Sequence, residues 1–219
     1  MTDRSDSYVC SPCRDAIILK NEFACAFCWA PVVLGKTCPF CRRDGRYLDR
    51  LLVAAGYEQP LVEDILKKLK YKFVRSLTDE AAAVMIKYLG KNDLFKYLNI
   101  ETCLVLPVPL HPKRLNWRGF NQSEIIAEII AAHFGWPLNI EILKRAKHHP
   151  PQADIKDRSS RIKNMSGVFA CVRPEVVIGR TVLLVDDVST TGSTLNDCAR
   201  CLKAEGAGEV IGLVFARNR

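Results

Sequence analysis

The stretch VLLVDDVSTTGSTL, residues 182–195, constrains the fold more than any other part of the chain. Four apolar residues without polar alternation read as a strand covered on both faces, which belongs in a parallel sheet. They run directly into two adjacent carboxylates, Asp186 and Asp187. A hydroxyl-rich turn with Gly192 inside it follows, and then a helical pattern in which Leu195, Cys198 and Leu202 share one face. A buried strand, a short loop and a helix start make an anion site, because loop N–H groups and the free N–H groups of a first helical turn converge on a phosphate. Gly192 permits close backbone approach or a positive φ. Thr190, Thr191, Ser193 and Thr194 add uncharged hydroxyl donors. The carboxylates repel phosphate but accept hydrogen bonds from vicinal hydroxyls, at the strand end where open α/β sheets bind ligands. A ribose 5-phosphate satisfies both halves. A solvated loop with an ordinary helix cap is the plainer alternative, but paired acids ahead of Thr-Thr-Gly exceed what capping needs. Neither G-x-x-x-x-G-K-[ST] nor a strand-borne G-x-G-x-x-G competes with this reading.

Strand and helix patterns alternate along the rest of the chain. YLDRLLVAAGY (47–57) reads as a strand or hairpin. QPLVEDILKKLKYK (59–72) is an amphipathic helix with Leu61, Ile65, Leu66 and Leu69 on one face and basic residues opposite. SLTDEAAAVMIKYLG (76–90) is a second helix, capped by Ser76 or Thr78 and ended by Gly90. CLVLPVPL (103–110) is a short covered strand curtailed by Pro107 and Pro109. NQSEIIAEIIAAHFG (121–135) is a helix, with Asn121 and Glu124 as a capping-box variant and Gly135 as its stop. The polar stretch 144–164 has no clear period and reads as a long functional or disordered loop. A helix over 194–206 and the strand EVIGLVFA (209–216) complete a series that predicts βαβ units and a parallel sheet.

A length of 219 residues suits one α/β domain with a small appendage, and 48% hydrophobic residues supply its core. The net charge of +8 favours anionic partners without choosing between nucleic acid and a phosphorylated small molecule. No uncharged run approaches the ~18 residues of a membrane span. MTDRSDSYVC lacks the basic start and apolar core of a secretory signal. The expectation is a cytoplasmic protein without membrane insertion.

Six of the ten cysteines fall in the first 41 residues as three C-x-x-C pairs, Cys10/Cys13, Cys25/Cys28 and Cys38/Cys41. In a cytosolic chain, two such turns complete a tetrahedral thiolate site that suits Zn²⁺. Cys25/Cys28 with Cys38/Cys41 has the spacing of a short zinc ribbon. Cys10/Cys13 either completes a site with one of these pairs or belongs to a second, degenerate ribbon. Cys198/Cys201 lies on a helix with no second pair nearby and reads as core, as do the isolated Cys103 and Cys171.

VLLVDDVSTTGSTL resembles the 5-phosphoribosyl 1-diphosphate (PRPP) motif of type I phosphoribosyltransferases. Through its C-x-x-C pairs, ILKKLKYK, VLPVPLHPKRLNWRGFNQSEIIA, PPQADIKDRSSRIKNMSGVFA and the motif itself, the wider chain resembles the ComF/GntX family of competence-associated proteins with an N-terminal zinc ribbon. The resemblance implies a Rossmann-like phosphoribosyltransferase core over residues 46–219, with a parallel sheet of about five strands flanked by helices. A zinc ribbon over 1–45 precedes it. Asp186 and Asp187 would hold the ribose 2- and 3-hydroxyls. Ser189, Thr190, Thr191, Gly192, Ser193 and Thr194 would cradle the 5-phosphate. Lys113 and Arg114 would face the pyrophosphate, and Mg²⁺ would be carried mainly by diphosphate and ribose oxygens. With Asp186, Asp187, Lys113 and Arg114 as the catalytic set, the bond from C1 to pyrophosphate breaks through an oxocarbenium-like state. Catalysis then rests on positioning and on stabilising the leaving group. The loop 144–164 would close over the site, with Arg145, Gln152 and Arg161 as contacts, while His148 and His149 read as inert loop histidines. The implied function is transfer of phosphoribosyl to an acceptor the sequence does not name, linked to DNA uptake in natural transformation. The alternative is a non-catalytic protein associated with single-stranded DNA and competence proteins, for which PRPP is only a ligand or regulator.

Overall fold

The computed structural model describes residues 8–91, 103–145 and 168–218. Its strands are β1 (Arg50–Gly56), β2 (Leu104–Pro107), β3 (Leu143–Arg145), β4 (Phe169–Cys171), β5 (Val182–Ser189) and β6 (Val210–Arg217). Four of them form the central sheet in the order β1-β6-β5-β2, with every pair parallel. The family resemblance implied about five strands. Among the described residues the parallel sheet has four, and β3 pairs antiparallel with β4 apart from it.

Helices cover both faces, as a parallel sheet requires. The period of two in β5 and β6 sends alternate side chains to opposite cores. Leu183, Val185, Ile211, Leu213 and Phe215 join a core completed by α3 (Pro60–Lys67), α4 (Leu77–Lys91) and α6 (Gln122–Phe134). Val182, Leu184, Val210 and Val214 join a second core with Leu195, Cys198, Ala199 and Leu202 of α7 (Ser193–Ala204). Cys103, Cys198 and Cys201 are buried and Cys171 is partly buried, as core cysteines should be.

The helix ends depart from expectation in instructive ways. Residues 59–72 are α3 followed by one π-turn, Lys68–Lys72, which stops at Phe73 in the left-handed region (φ 54°). Val62 is buried there, whereas Leu61 is only partly so. Thr78 lies inside α4 and does not cap it; its hydroxyl donates to the Arg75 carbonyl at 2.6 Å. Gly90 does not end α4, which runs on to Lys91 with Gly90 keeping helical backbone. An interior glycine costs a helix only about 1 kcal/mol, so packing overrides it. Asn121 does cap α6, accepting from the Ser123 N–H at 3.2 Å, and Gly135 closes it at φ 68°. A further helix, α5 (Pro112–Arg118), begins with proline and ends at Gly119 with φ 78°.

The cysteine-bearing segment docks on the sheet's edge and carboxyl end. Lys20 N–H donates to the Ala54 carbonyl at 2.9 Å, and Leu19 bridges Ala55 beside β1. Short helices α1 (Ser11–Asp15) and α2 (Pro39–Arg43) flank the cysteines. No described helix is long and apolar enough to cross a membrane.

Candidate functional site

β5 delivers Asp186 and Asp187 to the carboxyl end of the sheet, between β6 and β2. Asp187 is buried; its carboxylate accepts from Nε2 of Gln122 at 3.0 Å and lies 3.7 Å from Nζ of Lys70. Asp186 accepts from Oγ of Ser123 and from the backbone N–H of Asp187, each at 2.8 Å. Although part of its surface is exposed, burial first and the Asp187 charge second push the Asp186 carboxyl up to about 7. Gln122 and Ser123 open α6, so the acids also meet the positive end of that helix. Arg118 at the end of α5 completes the surroundings. Burial lowers its pKa while the Asp187 charge opposes this, and its Nε and Nη1 have no hydrogen-bond partner among the described residues.

Beyond the acids the chain turns sharply into α7. Ser189 is buried, and its hydroxyl has no partner among the described residues. Thr190, Thr191, Ser193 and Thr194 are exposed, with Thr191 Oγ1 and Ser193 Oγ 2.8 Å apart. Gly192 occupies the N-cap position at φ 74° and offers no side chain to the helix's first N–H groups. A Cβ there would stand 3.1 Å from the Ala26 carbonyl oxygen and 3.3 Å from the Phe27 ring. Only glycine fits both the backbone angle and the approach of the cysteine loop.

Lys113 and Arg114 lie exposed on α5. Arg145, on β3, has its guanidinium 5.4 Å from the centre of the Phe169 ring. Burial lowers the pKa of Arg145, and the nearby Arg114 charge lowers it further. Arg114 also depresses Arg118. Arg114 thus repels both Arg118 and Arg145, and Arg118 in turn feels the Asp187 charge, so basic groups gather on this side of the acids. Gln152, Arg161, His148 and His149 lie outside the described residues. The sequence reading did not find Lys70, Arg118, Gln122 or Ser123. Their only linear signal is a cap motif and a basic helix face, since Ser123 and Gln122 lie 63 and 65 positions from the acids they contact.

The sulfurs of Cys25, Cys28, Cys38 and Cys41 all lie within 4.8 Å of one another. Backbone N–H groups of Cys38 and Cys41 point at Cys25 Sγ and Cys38 Sγ, each at 3.5 Å. Burial raises the Cys25 pKa, but N–H groups of Cys28, Cys38 and Phe27 outweigh it and bring the thiol down to about 6. Burial and neighbouring sulfurs push Cys41 up. Four sulfurs so placed fit a tetrahedral metal ion such as zinc. Cys10 and Cys13 do not join this group; they are exposed and pair with each other at the first helix. Arg217, at the end of β6, ties the cluster to the sheet. It donates to the carbonyls of Cys25 at 3.1 Å and Ala26 at 2.6 Å and stacks 3.4 Å from the centre of the Trp29 ring.

Residues 121–219, which include α6 and the acids, match the family described as phosphoribosyl transferase domain. The DNA utilization protein YhgH of Escherichia coli is 30% identical over 224 residues, covering 92% of this chain and 93% of its own. Competence protein F of Haemophilus influenzae is 29% identical over 206 residues, 92% of this chain and 87% of its own. Competence protein ComFC of Bacillus subtilis is 26% identical over 221 residues, 98% and 86% of the two chains. Among solved structures, the allosteric regulatory enzyme of purine biosynthesis is 24% identical, with a TM-score of 0.40 over 60% of this chain and 25% of that one, a likeness too slight to add to the assignment. With its phosphoribosyl transferase domain, the chain belongs to the ComF family of competence proteins, which includes ComFC and YhgH.

Proposed function

We propose that the chain binds PRPP at the end of β5 and transfers its phosphoribosyl group to an acceptor, releasing pyrophosphate, in the service of DNA uptake. The supporting observation is the Asp186–Asp187 pair followed by a hydroxyl-bearing loop that Gly192 turns into α7, with Lys70, Arg114 and Arg118 close by. In this reading the two acids accept from the ribose hydroxyls. Loop N–H groups and hydroxyls from Ser189 to Thr194 hold the 5-phosphate. Lys113, Arg114, Arg118 and Arg145 stabilise the charge that grows on diphosphate as its bond to C1 breaks. Mg²⁺ would arrive with the substrate, carried mainly by diphosphate and ribose oxygens, because it usually keeps waters and substrate ligands.

Zn²⁺ on Cys25, Cys28, Cys38 and Cys41 is structural: it closes a small ribbon that lacks a core of its own. Residues 1–45 are then the ribbon and 46–219 the transferase-like domain, acting in the cytoplasm beside competence proteins. In the test, PRPP with Mg²⁺ raises the melting temperature of the wild type, and the double substitution Asp186→Ala, Asp187→Ala abolishes the rise. A rise that survives both substitutions removes the site. Release of pyrophosphate from PRPP in cell extract, dependent on the protein, separates transfer from mere binding.

A second reading has one observation of its own. Tyr71 and Trp117 are 67% and 62% exposed, and the Phe73 and Trp117 rings meet edge to face at 4.7 Å. That ring contact joins the segment carrying Lys68, Tyr71 and Lys72 to the helix carrying Lys113 and Arg114. Bases of single-stranded DNA stack on such platforms while the cations meet phosphates.

A further inference from the structure

Lys70 stands on the π-turn Lys68–Lys72, a local widening of a helix that recurs at functional sites. Leu69 of this turn is fully buried in the core. Lys70, the next residue, brings its ammonium to the acids, with Nζ 3.7 Å from Oδ2 of Asp187. Nε2 of Gln122 meets the same oxygen at 3.0 Å. Side-chain exposure is 26% for Lys70 and 5% for Asp187. A lysine on a basic helix face ordinarily keeps its head in water, as the exposed Lys67 and Lys68 do.

The turn is fixed from its far end. Phe73 stops it in the left-handed region at φ 54°, which a non-glycine residue holds only when its surroundings enforce it. The Phe73 N–H still donates to the Lys68 carbonyl. Its ring meets Trp117 edge to face at 4.7 Å, and Trp117 precedes Arg118, whose guanidinium feels the Asp187 charge. One ring contact thus joins the two elements that bring cations to this carboxylate.

Charge beside two adjacent carboxylates decides whether both can ionise. The charged or titratable groups that face the pair are Lys70 from the π-turn, Arg118 from α5 and the buried Cys198 thiol from α7, while α6 offers the neutral Gln122 and Ser123. Burial and the Asp187 charge oppose ionisation of Asp186, and the Lys70 charge favours it. An ionised carboxylate is an acceptor only, whereas a protonated one has given up part of that capacity. We infer that Lys70 is a positioning residue that keeps the acid pair ionised, and so sets the lowest pH at which the pair accepts hydrogen bonds from the ribose of PRPP. The choice of ligand rests on the PRPP reading; the hold of Lys70 on the acids does not.

The test has two readouts on full-length wild type, Lys70→Met, Lys70→Arg and Lys67→Met. NMR of isotope-labelled aspartate follows the acid titration without ligand, and calorimetry measures binding of PRPP with Mg²⁺ across the same pH range. Lys70→Met moves the midpoint of the acid titration up by about half a unit or more. It weakens PRPP several-fold near neutral pH and closes on the wild type as pH rises. Lys70→Arg stays with the wild type. Lys67→Met, which removes an exposed charge from α3, changes neither readout. A midpoint that does not move in Lys70→Met overturns the inference. A loss of PRPP affinity that is equal at every pH also overturns it, for Lys70 then holds the ligand and not the acids. A moved midpoint with no PRPP bound by any of the four proteins removes the PRPP reading and leaves the hold of Lys70 on the acid pair standing.

Discussion

The hydroxyl of Ser123 donates to the carboxylate of Asp186 across 2.8 Å, joining the first turn of α6 to the end of β5. Gln122 does the same for Asp187 at 3.0 Å. The two acids are therefore oriented by the protein itself, at the cost of holding one carboxyl where ionisation is unfavourable.

That cost depends on pH. Asp186 titrates at about 7 in the folded chain, against about 3.9 for an unfolded aspartate. A raised carboxyl pKa means the folded state holds the proton more tightly. The group's contribution is thus most favourable below about pH 4, declines as pH rises to about 7, and stays low above that. Asp186→Asn removes the decline. Its melting temperature should exceed that of the wild type by roughly 2–4 °C at about pH 8, with the difference vanishing near pH 4. Calorimetry across this range checks it, and a variant less stable than wild type at high pH contradicts it.

Gly192→Ala should cost roughly 1–2 kcal/mol, because alanine at φ 74° is strained and its methyl meets the Ala26 carbonyl at 3.1 Å. Denaturant unfolding measures the loss. A neutral substitution would mean that the loop does not press on the cysteine segment.

Cys25→Ser should reduce bound zinc to well under half of the wild-type content, on the order of one ion per chain. Cys10→Ser should leave it unchanged, because Cys10 and Cys13 stand apart from the four. Elemental analysis of protein purified without chelator decides. Equal losses for both variants would place the first pair in the metal site.

Arg217→Ala should destabilise by about 1–3 kcal/mol, since it strips the Cys25 and Ala26 carbonyls of their buried guanidinium donors. Arg217→Lys should recover only part of this, for an ammonium lacks the planar fork that serves two acceptors and stacks on Trp29. Unfolding midpoints of the two variants should rank accordingly.

Trp117→Ala should weaken single-stranded DNA binding by roughly 1–3 kcal/mol, with stability nearly unchanged because the ring is 62% exposed. Fluorescence anisotropy with a labelled oligonucleotide at low salt tests it. Unaltered binding would count against the aromatic platform.

Much of this protein is written in local pattern. Covered strands at 182–185 and 210–216, the α6 cap at Asn121, the left-handed stop at Gly135 and the left-handed turn into α7 at Gly192 follow from periodicity and backbone preference, which act over a few residues. Two C-x-x-C turns thirteen residues apart likewise announce one metal-sized cluster. What surrounds the acids is not local. Lys70, Arg118, Gln122 and Ser123 reach Asp186 and Asp187 only because the parallel crossovers bring the π-turn after α3, α5 and α6 to one sheet end. The exclusion of Cys10 and Cys13 and the Arg217–Trp29 stack were decided in the same way. Spacing along a chain specifies turns and faces, whereas contacts between distant segments are fixed by which faces must be buried together.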